Sequence, residues 1–168
     1  RNAMDEPAIS CNMAISVVAA LSLGVYDLII KHASQEIIDR YAISVSSGEW
    51  CGTMSLTEPH CGTDLGLIKT KATPQDDGSF LITGTKIFIT AGDHDLSDNI
   101  VHMVLAKLPD APEGSRGISL FLVPKFLDDG DGLSNKINGT SVSGIEEKMG
   151  LHGSPTCVLN FDSSKGWL

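Results

Sequence analysis

The sequence predicts an α+β fold, with N-terminal helices followed by an antiparallel β-barrel-like domain. Apolar residues recur at helical spacing as far as Ser47, and from Gly48 onward they fall into short runs of strand type. Turn-forming Gly, Pro, Asp and Asn separate those runs, and no helical stretch of useful length interrupts them. Alternating βαβ units, and with them a parallel doubly wound sheet, are therefore disfavoured.

The chain divides accordingly. Residues 1–4 read as a tag remnant and start, because Arg1 to Ala3 precede Met4 as an expression-vector scar would. Residues 5–47 read as the end of a helical domain, and residues 48–168 as a β-domain. In the helical part, Asp5 is a candidate cap and Pro7 suits a first turn, while Ile9, Met13, Val17, Ala20 and Leu21 repeat on one face. Gly24 is expected to end or bend this helix, with a short helical stretch following through Tyr26, Leu28, Ile29 and Ile30. Ser34 is placed to cap a third segment whose inner face carries Ile37, Ile38 and Tyr41. The first helix is apolar around most of its circumference, so it calls for neighbours on several sides. Three helical segments cannot supply them all, and further chain is expected upstream or downstream. The apolar stretch Ile9–Leu23 is broken by Ser10, Asn12, Ser16 and Ser22, and follows acidic Asp5 and Glu6. It falls short of the ~20 predominantly apolar residues of a membrane span, and reads as a buried helix.

In the β-domain, strands are predicted at 67–72, 79–83, 86–90, 100–108, 117–124 and 156–161. Asp76-Asp77-Gly78 between the first two is hairpin chemistry. Stretches 109–114 and 128–139 read as loops.

Composition narrows the partners. With 42% hydrophobic and 20% charged residues in 168, the chain is globular and can bury a core. Lys and Arg number 12 against 21 Asp and Glu, and the formal charge of −9 repels nucleic acid. A polyanionic ligand would have to rely on local donors. Cys11, Cys51, Cys61 and Cys157 form no C-x-x-C pair and no metal-ligand spacing with a His. They read as thiols buried in a reduced, cytoplasmic protein without a metal site.

Two stretches carry chemistry. The first is Met54 to Asp64 (MSLTEPHCGTD), where Pro59 and Gly62 shape a loop and Thr57 and Thr63 add hydroxyls. Such a loop can offer donors to a planar heterocycle or a phosphate without a charged side chain. The second is Gly84 to Thr90 (GTKIFIT), in which Phe88 and Thr90 share a strand face. A ring could stack on a flat ligand there while a hydroxyl bonds its edge. Singly, the first is an ordinary turn and Phe88 a core residue; their joint order and spacing give them meaning.

On Ser47-Gly48-Glu49-Trp50, Thr57-Glu58-Pro59, Gly62-Thr63-Asp64, Gly84-Thr85-Lys86, Phe88-Ile89-Thr90 and Glu147-Lys148-Met149-Gly150, the chain resembles the acyl-CoA dehydrogenase family over nearly its whole length. The Asp128 to Gly144 insertion, Leu151 to Thr156 and Phe161-Asp162 look most like the subgroup containing 3-methylmercaptopropionyl-CoA dehydrogenase and related broad-specificity enzymes. The resemblance implies FAD as cofactor, an acyl-CoA substrate, an electron-transfer flavoprotein as partner and a homo-oligomer. It implies that these residues are the end of the N-terminal helical domain and the middle β-domain, with the C-terminal helical domain and its catalytic base lying after Leu168. Met54, Leu56, Thr57, Gly62, Thr63, Phe88, Ile89 and Thr90 would bind the cofactor, and Thr63 would also reach toward the CoA. Thr57 would hydrogen-bond the isoalloxazine, Phe88 would pack on its far face, and Thr90 would sit near N5. Relatives often carry Trp at the Phe88 position, small residues at His60 and Cys61, and Ser at Thr63. By the same resemblance, this segment alone is expected to bind FAD weakly or not at all. An acyl-CoA oxidase of the same fold and a non-catalytic β-domain serving assembly are the rival readings.

Several tempting features are set aside. Glu58 lies in the best motif, but bonding to loop amides or a nearby strand is its expected role, and Asp64 is expected to stabilise the same loop. His94, His102 and His152 have no Ser or Cys partner at triad spacing. Asp128 to Gly132 lacks the closing Glu of a calcium loop and reads as a solvated turn. Asn138-Gly139-Thr140 matches a glycosylation sequon with no other sign of secretion, and no Rossmann or Walker loop is present.

Overall fold

The computed structural model describes residues 2–128 and 132–168, with side chains from Glu6 onward. Helices α1 (Asn2–Cys11), α2 (Met13–His32) and α3 (Gln35–Ser47) precede strands β1 (Trp50–Ser55), β2 (Lys71–Pro74), β3 (Phe80–Thr90), β4 (Asn99–Lys107), β5 (Ile118–Pro124), β6 (Phe126–Asp128), β7 (Leu133–Ile137), β8 (Thr140–Ile145) and β9 (Thr156–Gly166). Helix α1 starts ahead of the predicted Asp5 cap, whose side chain lies outside the described residues, as does Arg1 of the predicted tag remnant.

The helix break falls at Asn12 instead of Gly24. The Asn12 side chain accepts from the Ile15 N–H at 3.3 Å and so caps α2. Gly24 is carried through, because a single glycine inside a long apolar helix weakens it without terminating it. Ser34 caps α3 as predicted, accepting from the Ile37 N–H, and Gly48 ends it in the left-handed conformation at φ 83°. Ile37 and Tyr41 are buried and Ile38 half-buried, the inner face the sequence predicted.

Helix α2 is buried on one side only. Val18, Ser22, Val25 and Ile29 face the sheet, whereas Met13, Ile15, Leu23 and Ile30 are exposed. By length and composition it could cross a membrane, yet it docks on β1, and the wholly buried helix predicted from its apolar text is corrected to a half-buried one. The seat is tight. The Gly52 N–H donates to Ser22 Oγ at 3.0 Å, and a Cβ on Gly52 would lie 2.6 Å from Val25.

The main sheet runs β1-β4-β2-β3-β9-β8, with β5 on the other edge of β4. It curls until Leu122 on β5 and Trp167, just past β9, exchange backbone hydrogen bonds of 2.8 and 2.9 Å. That contact closes a barrel-like ring of mostly antiparallel strands. Two pairings are parallel, β1 with β4 and β2 with β4. Alternation along β4 and β5 builds two cores. Val101, Met103 and Leu122 point at the helices, where Ile29, Tyr41 and Trp50 meet them. Val104, Ala106, Phe121 and Val123 point into the barrel, against Ile82 and Phe161. Each fully buried aliphatic side chain, such as Ile29 or Val104, contributes roughly 1.5–3 kcal/mol.

Four strands were not foreseen. The β1 segment is covered on both faces, so it lacks an alternating pattern. The predicted loop 128–139 instead holds parts of the β6–β7 hairpin, followed by β8, all short. Its Asp129 to Asp131, the supposed calcium look-alike, lie outside the described residues. The strand predicted at 67–72 starts only at Lys71, because Leu65–Leu67 forms a 3-10 turn capped by Asp64 and the next amides are bonded elsewhere. Segments 79–83 and 86–90 are one strand, β3, passing through Gly84. The Asp76-Asp77-Gly78 hairpin forms as read. Among the cysteines, Cys51, Cys61 and Cys157 are buried as predicted, but Cys11 is exposed. Asn138 is also buried. Its amide donates to Pro124 O and Lys165 O and accepts from the Lys165 N–H, so the sequon side chain is committed to holding strands together.

Candidate functional site

The two motifs adjoin. After β1, Glu58 and Cys61 exchange backbone hydrogen bonds of 2.9 and 3.1 Å across Pro59-His60, which makes the loop a tight turn. The Thr57 carbonyl then accepts from the Ile87 N–H of β3 at 2.9 Å. One residue before Ile87, Lys86 is completely buried and donates from Nζ to the Leu56 carbonyl at 3.0 Å and to the Glu58 carboxylate at 2.8 Å.

Glu58 is 3% exposed and takes four donors: Lys86 Nζ, the Lys69 and Thr70 amides at 2.7 and 3.0 Å, and the Thr70 hydroxyl at 2.5 Å. Burial pushes its pKa up, but the hydrogen bonds from Lys86, Thr70 and the two amides outweigh burial and hold it below the usual carboxylate range. Burial pulls the Lys86 pKa below the ordinary lysine value, with Glu58 opposing the fall. A carboxylate so satisfied is a poor general base. Its expected bonding to loop amides and a neighbouring strand is what the structure shows; its partner Lys86 was missed, since a strand lysine ordinarily reads as a solvent-facing residue. The diverted Lys69 and Thr70 amides are also the reason β2 starts late.

Glu58, His60 and Cys61 bring three ligand-type atoms within 4.8 Å. His60 Nε2 donates to the Leu67 carbonyl at 2.9 Å, which occupies its lone-pair position with a proton, and the Lys86 ammonium neutralises the carboxylate. The carboxylate of the trio is thus already paired with a buried cation.

On β3 one extra residue is inserted between Lys86 and Ile89 relative to β9. Within this bulge Phe88 adopts φ 60°, and Ala91 follows at φ 52°. A bulky side chain at positive φ is a true outlier, with a cost of about 1–3 kcal/mol, and such strain clusters at binding sites. The bulge turns Phe88 outward to 57% exposure, leaves Thr90 half-buried, and sends Ile89 between them into the core.

The other predicted residues distribute as follows. Leu56 and Thr57 are half-buried, and Gly62 and Thr63 are exposed, with a Cβ on Gly62 only 3.4 Å from the Thr57 methyl. Met54 is half-buried against the helix-side core, so it supports the loop from behind. Ile89 can offer a ligand only its backbone. Of the histidines, His102 is buried with Nδ1 2.8 Å from Thr53 Oγ1, and His94 and His152 are not joined to a nucleophile among the described residues.

The chain as a whole has counterparts among known proteins. Residues 53–164 match the family model for the middle domain of acyl-CoA dehydrogenases. The chain belongs to the acyl-CoA dehydrogenase family. Over 159 residues it is 45% identical to a 3-methylmercaptopropionyl-CoA dehydrogenase of Ruegeria pomeroyi, covering 95% of this chain and 27% of that relative. The butyryl-CoA dehydrogenase structure of Megasphaera elsdenii superposes with a TM-score of 0.69 at 29% identity, covering 92% of this chain and 37% of that one. A glutaryl-CoA dehydrogenase of Mycobacterium smegmatis, solved in complex with FADH2, superposes at 0.63 with 27% identity, covering 84% and 31%. The acyl-CoA dehydrogenase segment described here thus spans about a quarter of that Ruegeria relative's length, and within it the Thr57 loop and the Phe88 bulge fall inside the matched middle domain.

Proposed function

We propose that the full-length protein is an FAD-dependent acyl-CoA dehydrogenase, and that Thr57, Phe88 and Thr90 form one edge and face of its flavin site. The observation that carries this is Phe88, an aromatic ring held outward at positive φ, beside a loop bonded to the same strand. A flat ligand would repay that strain by covering the ring. Thr57 and Thr90, both half-buried residues, carry hydroxyls suited to the rim of a heterocycle.

Bound FAD would supply the two-electron acceptor, while an acyl-CoA loses a proton from Cα and a hydride from Cβ to become the 2-enoyl-CoA. The residues of this chain orient and bind. Phe88 would support the ring, the Thr57 and Thr90 hydroxyls would stabilise charge at its rim, and exposed Thr63 would reach toward the CoA moiety. Glu58 takes no part in proton abstraction, since its four donors favour the ionised, already satisfied form. On this reading the α-proton is taken by a base other than Glu58. An electron-transfer flavoprotein would reoxidise the cofactor, the protein would act as a homo-oligomer, and its site of action would be the cytoplasm.

The test is to purify the full-length protein, quantify its flavin, and assay a panel of acyl-CoAs with an artificial electron acceptor. Stoichiometric FAD and acyl-CoA-dependent reduction of the acceptor are expected, with Thr57→Ala and Phe88→Ala weakening flavin binding. Peroxide formation without any acceptor would instead assign an oxidase. A flavin-free protein that folds normally and ignores every acyl-CoA would refute the reading.

A further inference from the structure

We infer that Lys86 is a positioning residue that fixes the Thr57 loop against the Phe88–Thr90 bulge. This inference rests on the flavin reading above and concerns how the chain builds that site. Thr57 and Phe88 are far apart in sequence, yet the site requires them in register. Lys86 and Ile87 supply that register by holding three consecutive loop residues: Lys86 Nζ takes the Leu56 carbonyl and the Glu58 carboxylate, and the Ile87 N–H takes the Thr57 carbonyl between them. Glu58 extends the clamp to the Lys69 and Thr70 amides, so one buried ion pair ties together the segments at 56–58, 69–70 and 86–87. The bulge that turns Phe88 outward starts at Lys86 itself.

The clamp is close-fitting. Lys86 is wholly buried, and Gly84, two residues earlier, passes so near Thr70 that a Cβ there would collide with its Oγ1. Neither Thr70 nor Lys86 is on the exposed rim where a ligand would sit. Lys86 therefore acts through the Leu56 carbonyl and Glu58, setting where the Thr57 hydroxyl points relative to Phe88 and Thr90. A misplacement of about 1 Å at such a distance from the chemistry can lower turnover on the order of a hundredfold.

The experiment uses the full-length flavin-loaded protein with Lys86→Met, Glu58→Gln and the double variant, and Lys165→Met as control. Lys165 pairs with Asp77 at the exposed far end of β3 and touches none of the clamp. Expected for Lys86→Met is a flavin visible spectrum and reduction potential displaced from wild type. Its kcat per bound flavin should fall roughly tenfold or more, with KM for the acyl-CoA changed by less than about threefold. Glu58→Gln and the double variant should show the same signature if Lys86→Met does not fold, and Lys165→Met should match wild type. A wild-type protein without flavin would remove the functional reading and this inference with it. A flavin-loaded wild type whose clamp variants keep its spectrum, potential and kcat per flavin would overturn the positioning role alone, as would losses that merely track the folded fraction.

Discussion

Replacing Lys86 by Met should destabilise the fold sharply, and the size of the effect follows from what the ammonium leaves behind. Methionine fills nearly the same volume, so the loss is electrostatic. Glu58 stays buried with three donors, the Lys69 and Thr70 amides and the Thr70 hydroxyl, but without a counter-charge. Removing one partner of a buried ion pair costs about 3–5 kcal/mol, and the Leu56 carbonyl also loses its lysine donor. Lys86→Met/Glu58→Gln removes both charges and retains an acceptor oxygen. Its remaining deficit is that carbonyl together with the Lys69 N–H, which then faces the new amide NH2 in place of an acceptor, about 1–3 kcal/mol for each. Urea unfolding of the two single variants and the double should then give a coupling energy on the order of 2 kcal/mol or more. The deficit also depends on pH, with a definite sign. In the native pair the Glu58 pKa lies below its free value of 4.5, so its stabilisation is present above that value and lost as pH falls through the folded pKa. Without Lys86 that lowering is weakened and the folded pKa of Glu58 moves up from its native value. The Lys86→Met deficit should therefore grow as pH rises through this interval, and be larger near about pH 7 than near about pH 3. A variant within about 0.5 kcal/mol of wild type at both pH values would behave as a surface substitution and refute the reasoning.

Two other changes probe the packing around the site. His102, only 1% exposed, has its pKa lowered by burial from 6.5 to about 3. The unfolded chain takes up a proton that the native ring refuses, so stability should be complete above pH 6.5 and decline toward pH 3. At 1.36 kcal/mol per unit the loss by pH 5 is about 2 kcal/mol, and His94, also lowered by burial, adds in the same direction. Urea titrations should show this slope flattened in His102→Gln; an unchanged slope would locate the linkage elsewhere. Gly52→Ala places a methyl 2.6 Å from Val25 and should cost about 1–3 kcal/mol in thermal or urea unfolding by forcing α2 off β1. A neutral outcome would mean that the helix seat is loose.

The sequence made some of this architecture visible and hid the rest for physical reasons. Local signals were readable: the Ser34 cap, the Gly48 terminus, the Asp-Asp-Gly hairpin and the change from helical to strand spacing all act within a few residues. Glu58 could be read as structural because a carboxylate in a proline-bent turn has amides within reach. Features set by distant chain were hidden. Strand β1 pairs in parallel with β4 across the sheet and is covered by α2, so neither alternation nor a turn signal marks it. Gly24 looked like the meaningful glycine of the helical region, yet the crowded one is Gly52, whose neighbour Val25 belongs to another element. Lys86 carried no sign of burial, since its partners Leu56 and Glu58 are fixed only once the loop has closed on β3. Phe88 and Thr90 were read as sharing a regular strand face. They do lie on either side of buried Ile89, but the bulge and the positive φ that orient Phe88 depend on β9 pairing that the local text does not encode.

The most direct measurement is a crystal structure of the full-length protein with FAD bound. The Phe88 ring should lie against the isoalloxazine at about 3.5–4 Å, with the Thr57 or Thr90 hydroxyl within about 3.2 Å of a ring heteroatom. An isoalloxazine seated elsewhere, with Phe88 still facing solvent at positive φ, would contradict the account.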